Sequence, residues 1–546
     1  MSAIRLSLLL CVAFFCSVLP AVEIDVRQEM VPMRDGVRLS VQLHVPREGG
    51  PFPVLMAQYY MNTSSEGFQK AMKKLAEGGY VVAIANFRGS QKSEGTWVGY
   101  RDLGWGEKQD GYDVCEWLAK QPFSTGKVGT FGGSQAGFAQ NFLAVTRPPH
   151  LVCQYMVDTG LSLYQEGYRL GGTTRPERFK DMGKVCRVPE HNLALMQEWF
   201  EHPAYDSYWE DEDCSLHFDQ MNVPCFTVGS WYDFMNIGSI ESFIGRQHLG
   251  DKGSRGVQQL IIGPWPHDTL NKRHTVGDVT YPENAAFDLN GHMLRWFDHH
   301  LKGIDNGVMQ DPIVKYYVMG ATGEENAPGN VWRTADDWPV PHTTTPYYLH
   351  ADKRLDKTKP SAADAVVAFN ADPLRPASIP GRSFPGAKDA RSFEEHPDVR
   401  TFTTDILSEP VEWTGKVQAE IYLSSDAKDT DLIVRVSDVY PDGRSILIID
   451  FPHRVRYREG FDREVLMEPG QVYKVAYDVG WMSMIFNKGH RIRVTVASTG
   501  APLYEPNPNT GEKLTIDFPA NAVTAHNSIH VNQKNASRII APVHRK

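Results

Sequence analysis

The chain has 546 residues, with 56 lysine and arginine residues against 66 aspartate and glutamate residues, and 41% of its residues are hydrophobic. These proportions are typical of a globular protein of two to four domains and exclude a disordered chain, a fibre and a polytopic membrane protein. The net charge of −10 is spread along the chain, and the pI near 6.0 indicates no basic surface, so we expect no nucleic-acid partner.

The N-terminal segment differs from the rest in composition. A positive charge precedes an apolar run from Leu6 to Leu19. The run is shorter than the roughly 20 residues that span a bilayer, which favours a cleaved signal peptide over residues 1–21 against a transmembrane anchor. Bulky residues precede Cys11 and Cys16, which disfavours lipidation. We therefore expect export to the periplasm or the cell exterior, without a stable membrane anchor.

From about residue 40 to residue 310, short apolar runs alternate with longer stretches of helical spacing. The predicted strands are Val54–Ala57, Val81–Ala85, Val128–Phe131, Phe226–Gly229 and Leu260–Gly263, and the predicted helices are Phe68–Glu77, Gly111–Lys120 and Phe138–Thr146. Continuous runs of β-branched and aromatic residues are typical of strands buried on both faces. The alternation therefore predicts a parallel α/β sheet.

The stretch from residue 160 to residue 222 interrupts this alternation. It is rich in tryptophan, tyrosine and charged residues, has a helical segment around residues 193–200 and shows no clear strand. We interpret it as a helical cap inserted over the sheet. The α/β domain then comprises residues 22–159 and 223–310.

After Asp311 the pattern changes to the alternation of antiparallel strands. Leu432–Tyr440 meets Ser445–Ile449 across a Pro-Asp-Gly turn, and Arg491–Ala497 alternates strictly. We predict that residues 311–546 form an antiparallel β domain of two packed sheets. Residues 351–398 show little periodicity, and we expect them to form a long connection across that domain.

The strongest indication of chemistry is the sequence Gly132-Gly133-Ser134-Gln135-Ala136-Gly137 between a strand and a helix. A serine on a sharp strand-to-helix turn needs small neighbours, because the strained backbone brings the flanking residues together. The turn places Ser134 at a helix N-terminus, where backbone N–H groups face a developing oxyanion. The usual Gly-x-Ser-x-Gly spacing has its last glycine one residue earlier, so the motif alone also fits a tightly packed turn.

A nucleophilic serine needs a base, and the base needs an orienting acid. In a parallel α/β sheet these groups follow the ends of strands in the order serine, acid, histidine. Asp233 follows Phe226–Gly229, and His267 follows Leu260–Gly263. Taken singly, Asp233 fits a loop cap and His267 fits a structural histidine. Because they occur in the right order at three strand ends, we predict that Ser134, Asp233 and His267 form a catalytic triad.

An acyl-transfer site also needs hydrogen-bond donors for the oxyanion. The backbone N–H of Gln135, the residue after the nucleophile, is one candidate. The second should come from the loop after Val54–Ala57, where the Tyr60 hydroxyl is a candidate, although two adjacent tyrosines fit core packing equally well. In the cap, Tyr164, Tyr168 and Trp199 fit either a pocket lining or the interior of the insertion.

We expect no metal and no cofactor. His299 and His300 follow each other on a predicted helix without carboxylate or cysteine ligands at suitable spacing. The predicted mature chain keeps five of the seven cysteines, an odd number without a Cys-x-x-Cys pair. At least one of them must therefore be unpaired in a monomer.

The chain resembles the CocE/NonD-type hydrolases, which include cocaine esterase, α-amino acid ester hydrolases, glutaryl-acylase-like enzymes and X-Pro dipeptidyl peptidases. The matching segments are Arg88-Gly89 with Ser93-Glu94-Gly95, Gly111-Tyr112-Asp113, Glu116-Trp117-Leu118, Gln121-Pro122, Gly132 to Gly137, Trp231-Tyr232-Asp233, Gly263-Pro264-Trp265 with His267, Arg295-Trp296-Phe297-Asp298 and Tyr317-Val318-Met319-Gly320. They run in family order, and the similarity covers nearly all of the predicted mature chain.

The resemblance implies an α/β-hydrolase domain with a helical cap insertion, followed by an antiparallel β jelly-roll domain. It implies Ser134 as the nucleophile, Asp233 and His267 as its partners, and Tyr60 with the N–H of Gln135 as oxyanion donors. The late glycine at position 137 is the usual spacing of this family.

Three departures limit what the resemblance implies. Gln135 stands where the family commonly has tyrosine, and Asn86 stands where it usually has aspartate. Met235 and Asn236 occupy the places where amino-ester hydrolases have acidic residues for a substrate ammonium. Specificity for α-amino esters is therefore not expected.

The sequence thus predicts an exported serine hydrolase that cleaves a small-molecule ester, with an amide-cleaving acylase or X-Pro dipeptidyl peptidase as the alternative. Two other classes fit less well. The first is a binding protein that has kept the scaffold without turnover. In such a protein we would expect a triad residue to be substituted, but all three are present. The second is carbohydrate binding by the β domain, since jelly rolls occur in lectins, but the family resemblance implies instead that this domain packs against the hydrolase domain and walls the pocket.

Overall fold

The computed structural model describes residues 22–175, 179–267, 274–381 and 386–544. The predicted signal peptide, residues 1–21, lies outside this described part. Within the described residues, no helix is both long enough and apolar enough to cross a bilayer.

A ten-stranded mixed sheet forms the centre of the N-terminal half. Its strands, in spatial order, are Ile24–Pro32, Arg38–Pro46, Val81–Asn86, Phe52–Tyr59, Ser124–Gly133, Leu151–Val157, Cys225–Ser230, Gln259–Gly263, Val314–Val318 and Val331–Ala335. The strands from Val81–Asn86 to Val314–Val318 run parallel, as the apolar runs predicted. All five predicted α/β strands are present.

The structure adds strands that the sequence analysis did not identify. Leu151–Val157 lies between the strand that precedes Ser134 and the strand that precedes Asp233. Val314–Val318 and Val331–Ala335 also join this sheet, so the sheet continues past residue 310, where the predicted α/β domain ended. The reason is that the apolar run after Asp311 pairs in parallel with Gln259–Gly263.

Helices cover both faces of the sheet. Their bounds are Glu66–Glu77, Asp110–Ala119, Gln135–Thr146, Asn236–Leu249 and Leu289–Lys302. Leu75 and Phe297 belong to the core on one face, whereas Leu118 and Leu143 belong to the core on the other. Burial on both faces explains why the strands are continuous apolar runs.

The insertion over the sheet is helical, with two short strands. Its elements are Leu163–Gly167, Arg169–Leu170, Thr173–Thr174, Asp181–Lys184, Glu190–Glu201, Ser207–Glu210 and Cys214–Gln220. The ring of Tyr168 stacks on Trp199 with a centroid distance of 3.7 Å, and Tyr164 packs edge-on against Trp209. These aromatic residues are buried inside the cap, so their role is packing.

The C-terminal half is a sandwich of two antiparallel sheets, the jelly-roll domain. The larger sheet contains His342–Leu349, Leu355–Asp356, Val366–Ala371, Val411–Ser425, Tyr473–Phe486, Ala525–His530 and Arg538–His544. The smaller sheet contains Arg400–Thr403, Asp431–Val439, Ser445–Arg454 and Arg491–Ala497. A short helix, Arg391–Glu394, precedes the smaller sheet.

The expectation of a long connection over residues 351–398 was wrong in part, because this segment contributes a strand to the larger sheet. Val366–Ala371 is an edge strand that pairs antiparallel with Ala525–His530. Its residues alternate between exposed and buried, but six residues between turns are too few to show that alternation clearly in the sequence.

The jelly roll packs on the helix Asn236–Leu249, which follows the Asp233 loop. The backbone N–H of Trp481 donates to Asn236 Oδ1 at 3.1 Å, and Lys416 Nζ lies 2.7 Å from Glu241 Oε1. Trp481 also shares one continuous apolar core with Trp231, so both domains hold the loop that carries Asp233.

Cys115, Cys153, Cys186, Cys214 and Cys225 are all buried and free. The prediction of at least one unpaired cysteine is therefore confirmed.

Glu166 is buried where the cap leaves the sheet. Its Oε2 accepts the backbone N–H of Leu161 at 2.6 Å, and its carboxyl group fills the space beside Gly160 and Gly238, where a Cβ atom would lie only 2.6 and 2.4 Å from it. Burial raises the pKa of Glu166 from 4.5 to about 8.

We expect this carboxyl group to make stability pH-dependent. Because its pKa is higher in the folded chain, its stabilising contribution is complete below about pH 4.5 and is lost as the pH rises through about 8. Glu166→Gln keeps an oxygen acceptor without a charge. Between about pH 5 and about pH 9, the Tm of the wild type should fall more than that of the variant in calorimetry. Parallel pH profiles would contradict the assignment.

Candidate active site

Ser134 lies on a sharp turn between the strand Ser124–Gly133 and the helix Gln135–Thr146. Its backbone has φ 55° and ψ −116°, an unusual conformation for a residue with a side chain. Its N–H donates to the carbonyl oxygens of Val157 and Asp158, both at 3.0 Å. The neighbouring strand therefore fixes the strained turn.

The structure explains the glycine spacing. A Cβ atom on Gly132 would lie 2.7 Å from the Cβ atom of Ala136, so the alanine at position 136 needs a glycine at position 132. A Cβ atom on Gly137 would lie 2.6 Å from the Cβ atom of Thr159. The late glycine is thus required by the close approach of the helix to the loop after Leu151–Val157.

Ser134, His267 and Asp233 form one hydrogen-bonded chain. His267 Nε2 lies 2.9 Å from Ser134 Oγ, and His267 Nδ1 lies 2.8 Å from Asp233 Oδ1. Asp233 follows the strand Cys225–Ser230, and His267 follows the parallel strand Gln259–Gly263, with Ser230 and Gly263 in register. The parallel sheet therefore brings all three residues to one edge.

The side chains of Asp233 and His267 are largely shielded from water, which favours proton transfer within the hydrogen-bonded chain. The Asp233 side chain has no exposed surface and the His267 side chain is 10% exposed. A buried carboxylate interacts strongly with a positive charge on the imidazole ring, because little water screens the pair. Ser134 lies on the wall of a cavity, where a substrate can reach its hydroxyl group.

Gln135, the residue after Ser134, contacts the loop that carries Tyr60, and both residues line the cavity. The side-chain oxygen of Gln135 accepts the backbone N–H groups of Tyr60 at 2.9 Å and of Met61 at 3.2 Å. The Tyr60 ring packs edge-on against Phe87 and Trp97, with both centroid distances 5.5 Å. Both sequence candidates therefore contact the cavity, and the Gln135 side chain ties their two loops together.

The cavity has a volume of about 830 Å³ and lies between all three parts of the molecule. The α/β domain contributes Tyr60, Met61, Ser134, Gln135 and His267, the cap contributes Arg175 and Met182, and the jelly roll contributes Pro373, Leu374, Pro376, Ala501, Pro502, Leu503, Tyr504, Glu505, Pro506 and Phe518. A lining supplied by the jelly roll agrees with the expectation from the family resemblance, but its individual residues were not predicted, because they lie more than 200 positions from Ser134 and carry no local motif.

Two charged groups in this lining were also missed. The Thr174 hydroxyl donates to Glu505 Oε2, which joins the cap to the jelly roll, and the Arg175 guanidinium lies 4.5 Å from the centroid of the Phe234 ring. Among the described residues of the cap and the jelly roll that line the cavity, Arg175 and Glu505 are charged, and most of the others are apolar or proline. Rigid apolar walls with few polar groups are typical of small-molecule sites.

Asp158 is a further residue of this site that no sequence motif indicated. It follows the unpredicted strand Leu151–Val157 and is 1% exposed. Asp158, Asp233 and His267 each present one polar atom, and these three atoms lie within 4.8 Å of one another. An aspartate directly after a strand end could have been found had that strand been identified.

Comparisons with known proteins agree with this architecture. Residues 35–186 and 183–269 match the profile of the X-Pro dipeptidyl-peptidases (S15 family), and residues 306–540 match the X-Pro dipeptidyl-peptidase C-terminal non-catalytic domain. Cocaine esterase of Rhodococcus sp. (strain MB1 Bresler) is 29% identical, over 94% of this chain and 97% of that protein.

Solved structures show the same fold. An α-amino acid ester hydrolase superposes with a TM-score of 0.83 at 23% identity, over 96% of this chain and 97% of that chain. An aminopeptidase from the marine sediment archaeon Thaumarchaeota archaeon has a TM-score of 0.83 at 22% identity, over the same shares of the two chains. At these identities the two structures establish the shared architecture alone.

We expect Gln135→Met to release the Tyr60 loop, because methionine keeps the side-chain shape and lacks the oxygen that accepts two N–H groups. Amide hydrogen exchange at Tyr60 and Met61 should accelerate by about tenfold, in line with about 1 kcal/mol for a hydrogen bond. Gln135→Glu is the matched control, since its carboxylate can accept both bonds. Unchanged exchange in Gln135→Met would show that the side chain does not hold the loop.

Proposed function

The chain belongs to the CocE/NonD-type serine hydrolases, and from this premise we propose that it hydrolyses carboxylic esters through an acyl-enzyme on Ser134. The observation that carries the proposal is the hydrogen-bonded chain in which His267 contacts Ser134 at 2.9 Å and Asp233 at 2.8 Å. A serine hydroxyl becomes a nucleophile when a base removes its proton. A histidine base needs a carboxylate that fixes the tautomer and orientation of its imidazole ring.

The first half-reaction forms the acyl-enzyme. Ser134 Oγ attacks the ester carbonyl carbon while His267 Nε2 takes the hydroxyl proton, and Asp233 balances the imidazolium charge. The carbonyl electron pair moves to oxygen, and the N–H of Gln135 with the Tyr60 hydroxyl would donate to this oxyanion. Collapse of the intermediate breaks the bond to the alcohol oxygen, which leaves with the proton from His267.

The second half-reaction releases the acid. Water enters the place of the alcohol, and His267 Nε2 takes one of its protons as the water oxygen attacks the acyl carbon. The new intermediate collapses, the bond to Ser134 Oγ breaks, and the proton returns to that oxygen. The products are a carboxylic acid and an alcohol, and the enzyme regains its starting state without a cofactor.

The cavity favours an uncharged or weakly polar ester. Its wall is mainly prolines and large apolar side chains supplied by the jelly roll. Met235 and Asn236, where acidic residues would hold a substrate ammonium group, are buried, and Asn236 accepts the N–H of Trp481. The 29% identity with cocaine esterase across nearly the whole chain also favours an ester substrate.

An amide substrate is the second candidate. The observation in its favour is that both halves of the chain match profiles of X-Pro dipeptidyl-peptidases. The same triad would serve, but the leaving amine must receive its proton from His267 before the carbon–nitrogen bond breaks. The two candidates therefore differ in their leaving group and share Ser134.

Export is part of the proposal. It is supported by the apolar run over residues 6–19 of the sequence, which precedes the first described strand at Ile24. The full-length chain produced in a bacterial host should be recovered outside the cytoplasm with Val22 as its first residue, as read by N-terminal sequencing. A recovered protein that begins at Met1 would contradict export by a cleaved signal peptide.

A substrate panel tests the catalytic proposal. Short-chain, aromatic and aminoacyl p-nitrophenyl esters are compared with the matching anilides. We expect ester hydrolysis that Ser134→Ala lowers by at least about 10⁴-fold, because the nucleophile is removed. Ser64→Ala, which alters an exposed serine in the Tyr60 loop, is the control and should keep wild-type rates.

Two results would contradict the proposal. Ester hydrolysis that survives Ser134→Ala would exclude the acyl-enzyme on that residue. A kcat/KM for anilides above that for the matching esters would replace the ester substrate by the amide alternative.

A further inference from the structure

Asp158 occupies the strand end between the nucleophile and the acid. It follows Leu151–Val157, and Val157 is in register with Gly133 on one side and with Val228 on the other. Ser134 follows Gly133 directly, and Asp233 lies a few residues beyond Val228. The sheet therefore places a second carboxyl group at the edge where Ser134 and Asp233 lie, on the strand between theirs.

The backbone of Asp158 is held from both sides. Its carbonyl oxygen accepts the N–H of Ser134 at 3.0 Å, and its own N–H donates to the carbonyl oxygen of Val228 at 2.9 Å. Its φ of 42° lies in the left-handed region, which aspartate and asparagine tolerate better than most residues. Its side chain therefore starts from a backbone position fixed relative to both Ser134 and the Asp233 strand.

The carboxyl group of Asp158 lies close to the imidazole. One of its oxygens is within 4.8 Å of a ring nitrogen of His267 and of a carboxylate oxygen of Asp233. The residue is 1% exposed, so water screens this contact little. A negative charge in this position interacts with His267 mainly when the ring is protonated.

We propose that Asp158 is a second positioning carboxylate for His267, which supplies a further counter-charge to the imidazolium and takes over part of the role of Asp233 when that residue is lost. This inference rests on the proposed function and deepens it. His267 is cationic only after it has taken the Ser134 proton, so Asp158 stabilises the transition state without contributing to substrate binding. Its removal should lower kcat and leave KM unchanged.

A purely structural role makes a different prediction. The two hydrogen bonds that hold the Ser134 turn run from its N–H to the main-chain carbonyl oxygens of Val157 and Asp158, so they do not need the Asp158 carboxylate. Asp158→Asn keeps the shape and tolerates the positive φ, and Asp158→Gly adopts that φ without strain. If the residue only shapes the turn, both variants keep the wild-type kcat.

The first experiment measures kcat and KM of the full chain with a p-nitrophenyl ester. A fluorophosphonate counts the competent sites, so that misfolded protein does not lower the apparent rate. We expect both Asp158 variants to lose about tenfold or more in kcat, with KM within about twofold of the wild type. A wild-type kcat per site in both variants would overturn the proposal.

The second experiment is a double-mutant cycle with Asp233→Ala. Alanine is chosen because an asparagine amide at this position could hold the wrong tautomer of His267. With Asp233 absent, Asp158 becomes the remaining carboxylate beside the ring within the described cluster. The double variant Asp158→Asn/Asp233→Ala should lose at least about tenfold more than the product of the two single losses.

A double loss equal to that product would overturn the shared role. Failure of the proposed function would be seen separately, as ester hydrolysis that persists in Ser134→Ala.

Discussion

The proposed chemistry depends on the contact of one imidazole ring with two oxygen atoms. His267 lies 2.9 Å from Ser134 Oγ and 2.8 Å from Asp233 Oδ1, although the three residues are far apart in the chain. Parallel strands in register bring them together, because their carboxyl ends meet at one edge. The strained backbone of Ser134, held by the neighbouring strand, then directs the hydroxyl group towards the ring. The geometry that the proposed reaction needs is therefore set by the order and register of the strands in the sheet.

The cavity beside Ser134, which the proposed function assigns to the substrate, is built largely from other parts of the molecule. The jelly roll supplies more than half of the residues that line the cavity, and the cap adds Arg175 and Met182. Leu503 and Tyr504 of the cavity wall belong to an apolar cluster against which Phe234, the neighbour of Asp233, also packs, so this cluster links the wall to the Asp233 loop. In this chain the groups proposed for the reaction therefore lie on the sheet, whereas loops far away in the sequence set the shape of the cavity.

Local sequence features predicted the strands that carry Ser134, Asp233 and His267, because buried parallel strands are short apolar runs with a recognisable pattern. They also predicted the order of the three residues. The strand Leu151–Val157 was missed, and with it Asp158. The contact of Gln135 with the Tyr60 loop and the cavity lining around Pro502 depend on long-range packing, which leaves no periodic signal in the chain.

The most direct test of the central claim is a crystal structure of the enzyme after reaction with a fluorophosphonate, whose tetrahedral phosphorus resembles the acylation intermediate. We expect a covalent bond from phosphorus to Ser134 Oγ, with His267 Nε2 within hydrogen-bonding distance of that oxygen. We also expect the phosphonyl oxygen to face the N–H of Gln135 and the Tyr60 hydroxyl. An unmodified Ser134, or an adduct with His267 turned away from Asp233, would contradict the claim.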